Sequence, residues 1–281
     1  MMRPSPSPLG VLLDLVAPPL CIECGTSLRT TASPLCPRCD RGLPWWRIVD
    51  GCPRCGMGEG FLPEPDRKGT RARRPFDGCP GCLSEGSALH GCRSLLRYEG
   101  AARRWLPGFK TARLPFGPNV ALRLAIDHLA AELGRRIGSE TSERPDWIVP
   151  IPLHWRRRHQ RGFNQTEPIA RRIAGILDCS FAPGMLRRTR SSRSQARSVG
   201  RERRQNVQDS FRSTARFGSR SRVWLVDDVL TTGSTLDAAA DALLDAGAFE
   251  VRGLTLAATL PARPRAVRRR SDYHARGPDG R

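Results

Sequence analysis

Two adjacent carboxylates, Asp227 and Asp228, and the turn after them, Thr231, Thr232, Gly233, Ser234 and Thr235, are the residues of this chain best suited to chemistry on a small molecule. Paired carboxylates suit the hydroxyls of a sugar or a hard divalent cation such as Mg²⁺. A turn of small and hydroxylated residues that opens a helix gathers backbone N–H groups and the positive end of the helix around one point, which suits a phosphate. Together the two groups would hold a phosphorylated ribose by both ends.

A second set of residues points to metal. Eight of the ten cysteines fall in four Cys-x-x-Cys pairs: Cys21/Cys24, Cys36/Cys39, Cys52/Cys55 and Cys79/Cys82. Two residues between thiolates let one turn present both sulfurs to a single tetrahedral ion, so four pairs make two four-cysteine zinc sites. With all four positions taken by sulfur, no place is left for a reacting water, and the zinc is structural. Disulfides would suit a secreted chain, and nothing here marks secretion; a redox role would need only one such pair. Pairing first with second and third with fourth leaves intervening loops of eleven and twenty-three residues. Interleaved pairing is also open. His90 and Cys92, just beyond the last pair, are then packing residues.

These groups need elements to position them. Val223 to Val226 is an apolar strand that ends in the acid pair, and Leu236 to Ala246 reads as a helix stopped by Gly247. Upstream, Ser94 to Tyr98 reads as a strand, Ala101 to Lys110 as a short helix distorted by Pro107-Gly108, and Val120 to Leu133 as an amphipathic helix with Leu122, Ile126, Leu129 and Leu133 on one side. Trp147 to Pro152 is a buried strand. Arg156, Arg157, Arg158, His159 and Arg161 follow on an Arg-rich loop. Gly162-Phe163-Asn164-Gln165 leads into a helix from about Glu167 to Leu177, with a second short strand near Ser180 to Leu186. Arg187 to Arg204 is very basic and lacks an apolar stripe, as a mobile loop over a site or a solvated helix would. Val251 to Leu260 is the last strand, and Arg263 to Arg281 a basic disordered tail. Strand and helix in alternation imply an α/β fold with a parallel sheet. The predicted organisation is a cysteine-rich unit over 1–92, an α/β domain over 93–262 and a tail over 263–281.

Composition narrows the function classes. The formal net charge is +20, and only Lys68 and Lys110 are lysines, so the basicity is almost all arginine. An anionic partner follows: a phosphate-bearing substrate, nucleic acid or acidic lipid. Arginine-rich coding composition would produce the same number. The apolar run Leu9 to Leu20 is too short to span a bilayer and is broken by Asp14 and two prolines. A cytoplasmic protein without membrane insertion is expected. The chain has neither a Walker loop nor a Gly-x-Gly-x-x-Gly fingerprint.

The strand, acid pair and Thr-Thr-Gly-Ser-Thr turn look like the phosphoribosyl-pyrophosphate motif of the type I phosphoribosyltransferases. From Val11 to Leu260 the chain resembles the ComF family of competence-associated, phosphoribosyltransferase-like proteins. The likeness rests on the four cysteine pairs, Tyr98-Glu99-Gly100, Lys110, Val149-Pro150-Ile151-Pro152-Leu153, Arg161-Gly162-Phe163-Asn164-Gln165, Leu186-Arg187-Arg188, Gln195, Arg203, Asn206-Val207 with Phe211, and the Asp227-Asp228 loop. It implies a double zinc ribbon ahead of a type I phosphoribosyltransferase-like domain. It also implies that phosphoribosyl pyrophosphate is bound with Mg²⁺, Asp227 and Asp228 facing the ribose hydroxyls and Mg²⁺, and Thr231 to Thr235 holding the 5-phosphate. Arg161, Asn164 and Gln165 join the ligand-binding set. The turn Pro150 to His154 would lie at the pyrophosphate, and Arg187 to Asn206 would close over it. A role with incoming single-stranded DNA, alongside other competence proteins, is implied as well. The competing function is a non-catalytic single-stranded-DNA-binding factor on the same scaffold. Two features depart from the pattern: Thr111-Ala112 follows Lys110 where an aromatic is usual, and the Glu59 to Asp77 insert is long.

Overall fold

A computed structural model describes residues 19–28, 33–46, 52, 87–109, 119–189 and 210–259. Cys55, Cys79, Cys82, the 59–77 excursion, Lys110, most of the 187–204 segment and the 263–281 tail lie outside the described residues.

The centre is a five-stranded sheet made of β1 (Gly91–Arg97), β2 (Trp147–Pro150), β3 (Ser180–Phe181), β6 (Arg222–Leu230) and β7 (Glu250–Ala258), in the order β1-β7-β6-β2-β3. Every pairing in it is parallel. The run Val223, Trp224, Leu225 and Val226 is buried throughout, as a central strand of a parallel sheet covered on both faces must be. One face is covered by α2 (Gly100–Phe109), α3 (Asn119–Glu140) and α5 (Thr166–Leu177), whose buried residues join Trp224, Val226 and Leu254 in one cluster. The other face is covered by α6 (Ser234–Leu244), which packs with Val223, Leu225 and Val251. On α5 the buried residues Ile169, Ala170, Ile173, Ala174 and Leu177 recur at helical spacing. Truncating one of the large ones, Ile173→Ala, removes roughly 2–5 kcal/mol.

Three local expectations are corrected. The Arg-rich stretch is a helix, α4 (Trp155–Arg161), and not a loop. It lacks an apolar stripe, so periodicity could not reveal it. What defines it is a cap at each end: His154 Nδ1 accepts from Arg156 N–H at 3.3 Å, and Gly162, at φ 76°, takes the left-handed conformation that stops the helix. The short strand expected near Ser180 to Leu186 is two elements. β3 joins the main sheet, whereas β4 (Leu186–Arg188) pairs antiparallel with β5 (Phe211–Ser213) in a separate two-stranded sheet. Finally, β6 does not stop at the acid pair. It runs on to Leu230, with Val229 opposite Ala257 and Leu230 opposite Ala258 on β7.

The first cysteine unit shares the core of the α/β body. Its short helix α1 (Pro37–Arg41) leads into Pro44–Trp46, which lies along β1: Arg97 N–H donates to Pro44 O at 2.8 Å and Trp46 N–H to Leu95 O at 2.9 Å. Cys21, Leu35 and Leu43 are buried in the same cluster as α2 and α3. Cys92 is on β1 and buried, as expected for a packing residue, and burial pushes its thiol up to about 12. His90 also bonds across the sheet, its N–H to Val251 O at 2.8 Å and its Nδ1 accepting from Val251 N–H at 3.3 Å.

Candidate functional site

The strand order creates the site. β2 is followed by α4, α5 and then β3 on one side of it, while the neighbouring β6 is followed by α6 and then β7 on the other. The chain therefore leaves these two adjacent strands in opposite directions, and α5 and α6 lie on opposite faces. At such a reversal a crevice opens beyond the carboxyl ends of the strands. The loops that flank it, 151–154 after β2 and 231–233 after β6, fall within the stretches picked out from the sequence, Pro150 to His154 and Thr231 to Thr235.

On the β6 side, each acid is bound to its own backbone. Asp227 Oδ1 accepts from Asp228 N–H and Asp228 Oδ1 from Val229 N–H, both at 2.9 Å. Asp227 is half-buried, and Asp228 is only 6% exposed. Side-chain alternation slips here by one residue. Val223 and Leu225 face α6 while Trp224 and Val226 face α2, α3 and α5; beyond the acids, Val229 packs on the latter side and Leu230 on the former. Strict period-two alternation would have placed them the other way. The acids thus occupy a local irregularity at the end of a central strand, where carboxylate oxygens serve the backbone.

The turn that follows is held at its base. Thr259 N–H donates to Leu230 O at 2.9 Å, and Thr259 Oγ1 lies 3.5 Å from Thr231 O. Thr231, Thr232 and Ser234 are exposed, with 2.9 Å between the hydroxyls of Thr232 and Ser234. Gly233 is the N-cap of α6 at φ 79°, a conformation that favours glycine. Having no side chain, it makes no capping bond. The first N–H groups of the helix, which have no partner within it, are thereby not taken by a capping side chain, and groups of that kind suit an anion.

On the β2 side, Asn164, Gln165 and Thr166 are all buried. Asn164 Nδ2 donates to Ile151 O at 3.1 Å, Thr166 Oγ1 donates to the same oxygen at 2.8 Å, and Asn164 Oδ1 is 2.9 Å from Thr166 Oγ1. Ile151 N–H in turn donates to Val226 O at 2.9 Å, one residue before the acid pair. The Asn164 amide therefore anchors the start of α5 to the strand end beside Asp227. Arg161 is half-buried and bonds Gln165 Oε1 at 3.3 Å. Thr166 is not among the residues that the motifs single out, although an Asn-x-Thr at a helix start is a recognisable turn signal. Nor is His154, whose capping role shows only once the helix is seen.

The metal chemistry of the first two cysteine pairs has a geometry. The sulfurs of Cys21, Cys24, Cys36 and Cys39 all lie within 4.8 Å of one another. A tetrahedron with Zn–S bonds of about 2.3 Å has edges of about 3.8 Å, and Cys24 Sγ to Cys36 Sγ is 3.8 Å. Backbone N–H groups aim at the sulfurs, from Cys36 to Cys21 at 3.4 Å and from Cys39 to Cys36 at 3.5 Å. Thr26 bonds hold the Cys24 thiol down at about 6, whereas Cys24 and burial push Cys39 up to about 12. Four packed thiols cannot all ionise unaided, and a divalent cation removes that conflict. The donor set fits one zinc, with sequential pairing. Of the second proposed set, only Cys52, buried, falls among the described residues. No described helix is long and apolar enough to cross a membrane.

Comparison with known proteins agrees with this architecture. Residues 164–277 match the phosphoribosyl transferase domain. The DNA utilization protein YhgH of Salmonella typhimurium (strain LT2) is 30% identical over 247 residues, which cover 88% of this chain and 100% of that protein. Competence protein F of Haemophilus influenzae is 34% identical over 111 residues, 38% of this chain and 48% of that one. Competence protein ComFC of Bacillus subtilis is 34% identical over 110 residues, 39% and 43% of the two chains. With its cysteine cluster, its parallel α/β sheet and a relative matched along its whole length, the chain belongs to the ComF family and carries a phosphoribosyltransferase-like domain.

Proposed function

We propose that the protein binds phosphoribosyl pyrophosphate with Mg²⁺ in the crevice between the carboxyl ends of β2 and β6, in the service of DNA utilisation or uptake. The observation that carries this reading is the position of Asp227 and Asp228 in the last part of β6, whose end at Leu230 is followed by a short turn and a helix whose cap is a bare glycine. The N–H groups at the start of α6 and the hydroxyls of Thr231, Thr232, Ser234 and Thr235 take the 5-phosphate. Asp227 and Asp228 face the ribose hydroxyls and would also hold the Mg²⁺, their carboxylates being the hard oxygen donors that ion takes. When bound, Mg²⁺ neutralises charge on the pyrophosphate. The Ile151 to His154 turn faces the pyrophosphate end, and Arg161, with Asn164 and Gln165 behind it, supports that turn. Phosphoribosyl transfer would break the bond from C1 of the ribose to pyrophosphate and form one to an acceptor nucleophile, the arginine-rich surroundings stabilising the leaving charge.

The names of the relatives, a DNA utilization protein and competence proteins, support the DNA setting. A cytoplasmic location is supported by the four-thiol cluster, which needs a reducing compartment to hold metal. Calorimetric titration with phosphoribosyl pyrophosphate, with and without Mg²⁺, tests the reading. Saturable, Mg²⁺-dependent binding is expected, and no binding in either condition would overturn it.

A further inference from the structure

Helices α3 and α5 are in close contact toward their C-terminal ends, where a Cβ on Gly134 would meet Ile176 at 3.1 Å and one on Gly138 would meet Leu177 at 3.3 Å. Toward their N-terminal ends a cavity of about 450 Å³ lies between them, lined also by Phe109, the last residue of α2. Two of the five large hydrophobic side chains that are exposed among the described residues line this cavity, Val120 at 40% and Leu124 at 55%. They are four apart on α3 and so share one face of it. Ile126 and Ile169, which line it too, are buried. The rings of Phe109 and Phe163 stand edge to face on its wall, with centroids 6.1 Å apart and planes at 71°. Aliphatic side chains left in water beside an apolar cavity have surface still to bury, and such patches mark binding sites.

The charge around the cavity decides what fits. Asp127, the one acidic residue among the described residues that line it, is 3.3 Å from Arg172. Glu167, in the first turn of α5, is 3.6 Å from Arg158. Both carboxylates are thus matched by arginines. Arg123, half-buried on the cavity wall, adds a further positive charge. The first turn of α3 holds no acidic residue to offset the positive end of that helix. An apolar space with a cationic rim selects a ligand that has an apolar body and one anionic group. Two ring planes at 71° leave a corner where a third ring can turn its face to one and its edge to the other, as aromatic rings prefer. The volume is in the range of small-molecule sites. We infer that this cavity binds a small aromatic carboxylate, its ring set between Phe109, Phe163 and Leu124 and its anionic group held by Arg123. None of the lining residues belongs to the 151–154 or 231–233 loops, so this is a second site, apart from the crevice.

The test is calorimetric titration of the full-length, zinc-loaded protein with naphthoate. One saturable site is expected, with a Kd on the order of 0.1 mM for a ligand of that size. Arg123→Gln should weaken naphthoate binding by roughly tenfold or more, as loss of a charged hydrogen bond does, and leave the affinity for uncharged naphthalenemethanol as it was. Leu124→Glu puts a carboxylate at the mouth and should abolish naphthoate binding. Leu124 is exposed, and circular dichroism checks that the variant folds. Absence of saturable binding by the unaltered protein would overturn the inference, as would undiminished affinity in Leu124→Glu. Equal affinity of the unaltered protein for naphthoate and naphthalenemethanol would show an apolar slot that reads no charge, and would overturn it too. Displacement of naphthoate by inorganic pyrophosphate would put the ligand among the arginines of the crevice. A dimer that Leu124→Glu dissociates, seen by sedimentation equilibrium, would make this face a contact between copies. Either of these results overturns the inference. The measurement uses no phosphoribosyl pyrophosphate, so its failure leaves the reading of the crevice standing.

Discussion

Asp237 Oδ1 accepts two hydrogen bonds from one short segment, from Ser87 Oγ at 2.7 Å and from Ala88 N–H at 2.9 Å. Asp237 lies in the first turn of α6, directly after the proposed phosphate turn, and Ser87 lies just ahead of β1, five residues beyond Cys82. One carboxylate thus ties the exit of the cysteine-rich region to the base of the candidate site. Asp237→Ala should cost about 1–3 kcal/mol of stability, because the charged acceptor is gone and the Ala88 N–H is stranded. It should also weaken phosphoribosyl pyrophosphate binding by loosening the turn. Thermal unfolding and calorimetric titration of the variant check the two effects separately; unchanged stability would show that the tie is idle.

Asp227→Asn combined with Asp228→Asn should keep the fold, since an amide oxygen still accepts from the next backbone N–H. The charge it removes should abolish most Mg²⁺-dependent affinity, by roughly tenfold to a hundredfold for each carboxylate replaced. Titration with the Mg²⁺ complex reads the loss, and circular dichroism reads the fold. Wild-type affinity in the double variant would make the acid pair structural.

Zinc should accompany the protein at one equivalent for Cys21, Cys24, Cys36 and Cys39, and at two if Cys52, Cys55, Cys79 and Cys82 hold a second ion. Cys36→Ser should lower the count by one and destabilise the body as well as the ribbon, because Cys21, Leu35 and Leu43 share its core. A structural zinc supplies on the order of 10 kcal/mol to folding. Elemental analysis of protein prepared under reducing conditions, with thermal unfolding before and after chelation, gives both numbers; metal-free protein of full stability would refute the assignment.

Cys179 offers a pH test away from the metal. Burial, helped by the neighbouring charge of Asp178, pushes its thiol up to about 11. A thiol that resists ionisation in the folded chain contributes stability that is present below the ordinary thiol range and lost as pH rises toward the folded value. In the native protein at about pH 8, alkylation of Cys179 should be roughly a hundredfold slower than in the urea-unfolded chain, following the fraction of thiolate. Asp178→Asn should narrow the gap. Mass-spectrometric labelling kinetics decide it, and equal rates in folded and unfolded protein would contradict the burial argument.

Much of this was written in the sequence, because it depends on residue type and short spacing. The first two Cys-x-x-Cys pairs specify turns that present their sulfurs together whatever surrounds them. Val223 to Val226, acids, small residues and then a helical period specify a strand, a turn and a helix in that order, and alternating strands and helices specify a parallel sheet. What tertiary structure alone decided is everything set by partners distant in the chain. The strand order β1-β7-β6-β2-β3 puts β2 beside β6 and so makes the crevice; no local pattern encodes which strands become neighbours. The pairing of Cys21 and Cys24 with Cys36 and Cys39 was open from spacing and is closed by the convergence of the sulfurs. That the Asn164 amide bonds Ile151 O, a partner thirteen residues away, is likewise a tertiary fact, which its place in a motif does not encode. Helix α4 is not legible in the sequence because periodicity registers only helices that bury a face, and this one, capped at both ends, buries none of its described side chains.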